Sequence, residues 1–306
     1  MALNNLIIAG VNKAATSSLY TYLGFHHQIL KSNIKETEFF LPVRYGKEHG
    51  SIDSYINSFD KNRISSDTKY LLESTPGYFY GGEKLAKSIK NLIPKVKIII
   101  LLRNPVRRTE SFVNHCISKT WIEKKVDFNQ EILNILHDLD LNNTTQIDEN
   151  KYFRRSVIES FYSDLIKEWK SVFNSNIKII YFEDLTKNPE QTLNYLCNWL
   201  ELDSFRESQS KYSTENKSIT PNNVIIHKAV LNIYAKFESF LRRNPNLKNL
   251  VRDFYYRFNS TKKSSLKTKL EDNLVELFHL KNDIEIVKPY LDEQERVGWR
   301  KYIQEN

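Results

Sequence analysis

Short apolar runs alternate with stretches of helical periodicity through the first two thirds of the chain. Asn5 to Ala9 reads as a strand, Gly10 to Thr16 as a loop, and Ser17 to Leu23 as a helix closed by Gly24. A second strand, Tyr70 to Glu73, precedes a Thr-Pro-Gly turn and a helix from about Glu83 to Leu92, ahead of Pro94. Lys97 to Leu102 is apolar after its first residue, as in strands buried on both faces of a parallel sheet. It leads through Arg103-Asn104-Pro105 into a helix that runs to Ile117. One helical stretch from about Asn150 to Phe173 precedes a fourth strand, Ile177 to Tyr181, and after Pro189 a helix continues to Glu201. From about Asp203 the pattern is helix and loop without repeats. Alternating strands and helices predict an α/β fold with a central parallel sheet flanked by helices. The expected organisation is a single domain over residues 1–306, with a core of about 5–202 and a helical C-terminal extension of about 203–306.

Composition supports a folded chain: of 306 residues 40% are hydrophobic and 12% aromatic, enough for a sizeable core. The net charge of +8 suggests an anionic partner, though a lysine-rich soluble surface gives the same sum. The longest apolar run, Ile98 to Leu102, is far shorter than the ~20 residues that span a bilayer. The first, Leu6 to Ala9, is too short for a signal peptide and runs straight into a turn. Two cysteines, Cys116 and Cys197, lie in apolar helical contexts and predict buried reduced thiols. Together these features predict a cytoplasmic protein without an integral membrane segment.

Seven of the eight glycines fall within the first 82 residues, so tight backbone geometry is concentrated there. Ligands of parallel α/β sheets gather at the carboxyl ends of the strands, which directs attention to the segment Gly10 to Leu19. A loop that opens a helix offers backbone N–H groups and the positive end of the helix dipole to an anion. Lys13 adds a full charge, and Thr16, Ser17 and Ser18 add hydroxyls, beside the backbone of Ala14 and Ala15. The arrangement is P-loop-like but not Walker A: Lys13 precedes Thr16 by three residues, and the second glycine is missing. A plain N-cap at Thr16 or Ser17 beside a solvated lysine fits the segment equally well. At the end of the third strand stands Arg103, a fixed bidentate donor suited to a phosphate, with Ser111 eight residues on. A core-facing hydroxyl bonded to the carbonyl four residues back is the plainer reading of Ser111. The paired histidines His26-His27 have no carboxylate or cysteine spacing that would make a metal site, and none is expected.

These segments resemble the sulfotransferases that use 3'-phosphoadenosine 5'-phosphosulfate, in particular the carbohydrate (heparan-type) branch and its bacterial relatives. Gly10 to Leu19 is similar to that family's 5'-phosphosulfate loop, and Lys97 to Ser111, with Arg103 and Arg108, to its 3'-phosphate loop. Lys35 to Phe40 resembles the K-E-x-x-F-F segment, and Glu73 to Tyr78 the E-K-[ST]-P-x-Y segment. Tyr162 to Trp169 and Ile179 to Leu185 are similar to the helix and strand that follow, so the likeness covers residues 5 to about 202. The resemblance implies transfer of a sulfuryl group to an acceptor hydroxyl or amine, on a saccharide or a small hydroxylated molecule, without a metal. It implies that Lys13 neutralises the leaving phosphate, that residues Ala14, Ala15, Thr16, Ser17 and Ser18 hold the 5'-phosphate, and that Arg103 and Ser111 bind the 3'-phosphate. Glu36 takes the place of the general base, against a plainer reading as a surface charge paired with Lys35. Glu38, Glu73 and His115 are further candidates for contact with the acceptor; Glu73 would orient it or Lys13, and His115 is otherwise ordinary helix surface.

Two departures stand out. Ala15 replaces the family's usual glycine, and Ser74 stands where glycan-modifying relatives often carry a lysine that meets an acidic sugar. A flexible cover near Lys217 is a further family expectation. The alternatives are a nucleotide kinase, with Glu183-Asp184 on magnesium, and a non-catalytic module that binds anions or nucleic acid. No recognition helix or ribonucleoprotein motif supports a nucleic-acid partner.

Overall fold

The apolar runs assemble into a five-stranded, all-parallel sheet in the order β2-β3-β1-β4-β5. The strands are β1 (Asn4–Gly10), β2 (Ile29–Lys31), β3 (Tyr70–Ser74), β4 (Val96–Leu102) and β5 (Ile177–Tyr181). The computed structural model describes residues 3–119, 121–122, 127–140, 151–205, 220–221, 230, 237, 260–261 and 272–304. Every residue of β4 except Lys97 is buried, as expected of a central strand covered by helices on both faces. Lys97 keeps its charge at the margin by donating to the Trp199 carbonyl at 2.7 Å.

Among the described residues the chain forms two compact units. The first comprises Met1–Pro105, Phe161–Glu215 and Phe278–Asn306, and the second Val106–Ser160 and Asn216–Leu277. The sheet and the main hydrophobic core lie in the first unit. Ile284, Val287, Leu291, Trp299 and Ile303 are part of that core as well. In the second unit the helix Pro105–Ser118 carries Arg108, wholly buried and paired with Glu159 at 2.7 Å. The guanidinium also donates to the Ser156 carbonyl at 2.7 Å and the Ser160 hydroxyl at 3.1 Å. Arg108 is thus a structural brace in its own unit.

Three elements depart from the sequence pattern. β2 is a three-residue edge strand, too short to show periodicity. The expected helix over residues 150–173 is two helices, Lys151–Ile158 and Ser163–Phe173, because the Tyr162 N–H is taken by the Asn282 side chain at 2.8 Å. The helix Thr16–Leu23 begins after Ala15 with no side-chain cap, so neither Thr16 nor Ser17 is the N-cap. Cys116 and Cys197 are buried free thiols, and burial pushes the Cys197 thiol up to about 12. No helix among the described residues is long and apolar enough to cross a membrane. Lys217, where a flexible cover is expected, lies outside the described residues.

Candidate active site at the carboxyl end of the sheet

Strand order reverses around β1, with β3 on one side and β4 on the other, and at such a reversal parallel α/β sheets form their ligand crevice where the chain leaves the strand. The exit is tight. A Cβ on Gly10 would lie 2.6 Å from the Phe79 Cβ, which leaves room for glycine alone. The Val11 N–H donates to the Leu101 carbonyl at 2.8 Å, and the Asn12 N–H to the Tyr80 hydroxyl at 3.2 Å. Lys13 and Ala15 both have left-handed backbones, φ 71° and φ 64°, and the second turns the chain into the helix Thr16–Leu23. This conformation costs a non-glycine residue roughly 1–2 kcal/mol, the physical reason a glycine suits position 15. The helix has neither a side-chain cap nor an acidic residue in its first turn. Its amino end therefore presents backbone donors and positive dipole to the crevice with no carboxylate in competition. These features suit an anion.

Arg103 reaches the same loop from the end of β4. Its Nη1 donates to the Lys13 carbonyl at 2.9 Å, and its guanidinium lies 4.3 Å from the centre of the Phe182 ring. Two segments 90 residues apart are thereby joined. Behind Arg103, the Asn104 N–H donates to Glu183 at 3.1 Å, and burial holds the Glu183 carboxyl above its usual range. Asp184 accepts from the Tyr302 hydroxyl. Both acidic residues that a kinase reading would place on magnesium thus hold backbone or side-chain groups of the fold.

On the other side of β1, the loop after β2 lies along the end of β3. The Glu36 N–H donates to the Ser74 carbonyl at 3.1 Å, the Glu38 N–H to the Thr75 hydroxyl at 3.3 Å and the Phe40 N–H to the Tyr78 hydroxyl at 3.1 Å. Phe40 is buried against Tyr55 and Tyr78 and pins the loop from below. Glu36 and Glu38 both take left-handed backbones, φ 63° and φ 56°. The Glu36 side chain is 40% exposed and ion-paired with Lys35, as the plainer reading of this residue has it, and Glu38 is exposed.

Glu73 is wholly buried in β3. One carboxylate oxygen accepts from the Thr37 hydroxyl. Burial among Tyr20, Tyr55 and Tyr78 pushes its pKa up to about 7, against the pull of the hydrogen bonds from Thr37 and Tyr78. Sequence marked Glu73 as a strand-end carboxylate but missed Thr37, which the intervening residue pattern gives no reason to single out. Ser74, beside Glu73, is buried.

Ser111 and His115 belong to the second unit. Ser111 is half-buried in the helix Pro105–Ser118. The half-buried ring of His115 meets Trp121 edge-on at 6.0 Å, and Trp121 stacks on Tyr152 at 4.9 Å.

Comparison with known proteins bears on this arrangement. The chain is 26% identical over 219 residues to the bifunctional heparan sulfate N-deacetylase/N-sulfotransferase 1 of Caenorhabditis elegans, covering 69% of this chain and 24% of that protein. It is 27% identical over 204 residues to the heparan sulfate N-deacetylase/N-sulfotransferase 4 of Mus musculus, covering 65% and 22%. The chain thus spans about a quarter of the length of the curated relatives it matches. In fold it is similar to the crystal structure of a sulfotransferase from Alicyclobacillus acidocaldarius, with a TM-score of 0.54 and 23% identity over 81% of this chain and 96% of that one. The model of the sulfotransferase family matches residues 48–207, more than half of the sequence, and the chain belongs to that family.

Proposed function

We propose that this chain transfers a sulfuryl group from 3'-phosphoadenosine 5'-phosphosulfate to a hydroxyl or amine of a saccharide acceptor. The observation that carries the reading is the 2.9 Å bond from Arg103 to the Lys13 carbonyl, which joins the end of β4 to the loop after β1. The uncapped amino end of the helix Thr16–Leu23, with its serine and threonine hydroxyls, suits the 5'-phosphate. Arg103 suits the 3'-phosphate that distinguishes this donor from an ordinary adenylate. Lys13 neutralises the charge that grows on the bridging oxygen as the bond from sulfur to the phosphate oxygen breaks.

The new bond from sulfur to the acceptor oxygen or nitrogen releases a proton, and Glu36 takes it. Its pairing with Lys35 is a partly exposed ion pair, worth about 1 kcal/mol or less, so the carboxylate can leave it at little cost. A saccharide acceptor accords with the heparan sulfate enzymes among the relatives. With Ser74 buried at the position of the lysine expected to meet an acidic sugar, a weakly charged saccharide fits better than a highly charged one.

Incubation with the phosphosulfate donor and a panel of saccharide acceptors in EDTA should yield 3'-phosphoadenosine 5'-phosphate only when an acceptor is present. Lys13→Ala should lower the rate at least ~10²-fold. Arg103→Ala should weaken binding of the 3'-phosphorylated nucleotide about 10- to 100-fold, and Glu36→Gln should abolish turnover while leaving that binding intact. Absence of product together with absence of a donor-induced thermal shift would overturn the proposal.

A further inference from the structure

A buried carboxylate without a cationic partner is costly, and an apolar side chain at position 73 would pack at lower cost. Glu73 is 0% exposed and sits opposite Ile7 of β1. Only one of its two oxygens has a hydrogen-bond donor among the described residues. Its surroundings come from four elements: Thr37 from the loop after β2, Tyr20 from the helix Thr16–Leu23, Tyr55 from the helix Ile52–Ile56, and Tyr78 from the turn Pro76–Gly81. Arg63 is a charge that acts on Tyr20. The hydroxyl of Tyr55 is likewise buried without a partner, so nothing on that side offsets the carboxylate.

What the carboxylate does hold is Thr37. That residue lies between Glu36 and Glu38, the two left-handed positions of the loop. Such backbones persist only where the surroundings over-determine them. The backbone ties to Ser74, Thr75 and Tyr78 fix the loop along its length, and the bond from Thr37 to Glu73 fixes it in depth. We propose that Glu73 is a positioning residue whose carboxylate, through the Thr37 hydroxyl, holds the Lys35–Glu38 loop so that Glu36 faces the acceptor. This inference rests on the assignment of Glu36 as the base.

The charge state of Glu73 then governs the strength of the tie. Ionised, it accepts a charge-assisted hydrogen bond; protonated, it accepts a weaker neutral one. Since the pKa stands at about 7, the loop tightens as the pH rises through neutrality.

The test combines pH–rate profiles with amide exchange of the loop in the ligand-free protein, corrected for the intrinsic pH dependence of exchange. In the wild type, kcat should rise as the pH passes about 7, with the affinity for 3'-phosphoadenosine 5'-phosphate unchanged. Glu73→Gln, whose amide oxygen still accepts from Thr37, should lose that inflection and turn over about tenfold more slowly than the wild type at high pH. Thr37→Val should be about tenfold slower with donor affinity intact, and Thr37→Ser should restore the rate. Exchange at the Glu36 amide should slow across the same pH range in the wild type and not in Glu73→Gln. An inflection that survives in Glu73→Gln, or a Thr37→Val rate within about twofold of the wild type, overturns the proposal. Should no acceptor be sulfated at all, the catalytic reading fails; the exchange data still decide whether Glu73 governs the loop, and pH-independent protection in the wild type refutes it.

Discussion

Two buried glutamates in the same unit, one at each flank of the sheet, have opposite surroundings. Glu295 packs beside the edge strand β5, and each of its oxygens is engaged. Lys170 donates to it at 2.6 Å, the Asp292 N–H at 3.0 Å and the Ile179 N–H at 2.8 Å. It thereby pairs an outward N–H of the edge strand, which would otherwise lie open to another chain, and joins the C-terminal helix Glu293–Trp299 to the sheet. Glu73 has the same side chain and the same burial, but only the neutral hydroxyls of Thr37 and Tyr78 donate to it, and one of its oxygens has no donor among the described residues. The difference separates scaffold from site: a satisfied buried carboxylate holds the fold together, whereas a half-satisfied one carries a cost that the fold itself does not require.

The sharpest way to break the comparison is to remove Glu295. Glu295→Ala leaves the Lys170 ammonium buried without its counter-charge and strips the Ile179 N–H of its acceptor. A loss of about 3–5 kcal/mol is expected, seen in thermal unfolding as a fall of roughly 10 °C. A loss under about 1 kcal/mol would remove the ground for calling this flank scaffold.

Glu73→Gln should act in the opposite sense. The folded pKa of Glu73, about 7, lies above its ordinary 4.5, so the native state binds the proton more tightly than the unfolded chain does. Wild-type stability therefore falls as the pH rises from about 4.5 to 7 and then levels off. The variant escapes that fall. Its advantage should be absent below about pH 4.5 and reach up to about 3 kcal/mol above pH 7, as read by denaturant titration at several pH values. A pH-independent difference would contradict the assignment.

Next in size is a change of shape on the scaffold flank. A Cβ on Gly298 would lie 2.1 Å from the Tyr181 ring, itself fixed by its hydroxyl bond to the Glu295 carbonyl at 2.6 Å. Gly298→Ala should cost about 1–3 kcal/mol, with turnover per folded molecule unchanged.

The contrast also marks how far the sequence could be read. Apolar runs placed β1, β4 and β5 because strands buried on both faces need little else. The loop after β1 and Arg103 at the end of β4 drew attention through local residue types, and the structure joins them by the bond from Arg103 to the Lys13 carbonyl. β2 was not legible, since three residues after His26-His27-Gln28 carry no period. The break between the helices Lys151–Ile158 and Ser163–Phe173 depends on Asn282, 120 residues beyond Tyr162. Ala15 in a left-handed conformation runs against local preference, which pointed instead to a side-chain cap. The surroundings of Glu73 and Glu295 escape the sequence for the same reason: their donors Thr37, Lys170 and Ile179 come from segments distant in the chain that only tertiary packing brings to them.

The smallest effect tests whether charge or geometry holds the scaffold flank. Asp292 caps the helix Glu293–Trp299 by accepting from the Glu295 N–H at 2.9 Å, and it also pairs with Lys178 at 2.7 Å. Those hydrogen bonds and the lysine charge outweigh partial burial and hold its carboxyl below the usual range. Asp292→Asn preserves a good cap but removes the charge, so it isolates the contribution of the pair. Because the Asp292 carboxylate is partly exposed, that contribution should be a few tenths of a kcal/mol, and less at high salt. Its folded pKa lies below the unfolded value, so the wild type holds this contribution above about pH 4 and loses it as the pH falls further. The stability gap between wild type and Asp292→Asn should close over that range. A gap above about 1 kcal/mol that persists in acid would mean that the geometry of the cap, rather than its charge, secures the C-terminal helix.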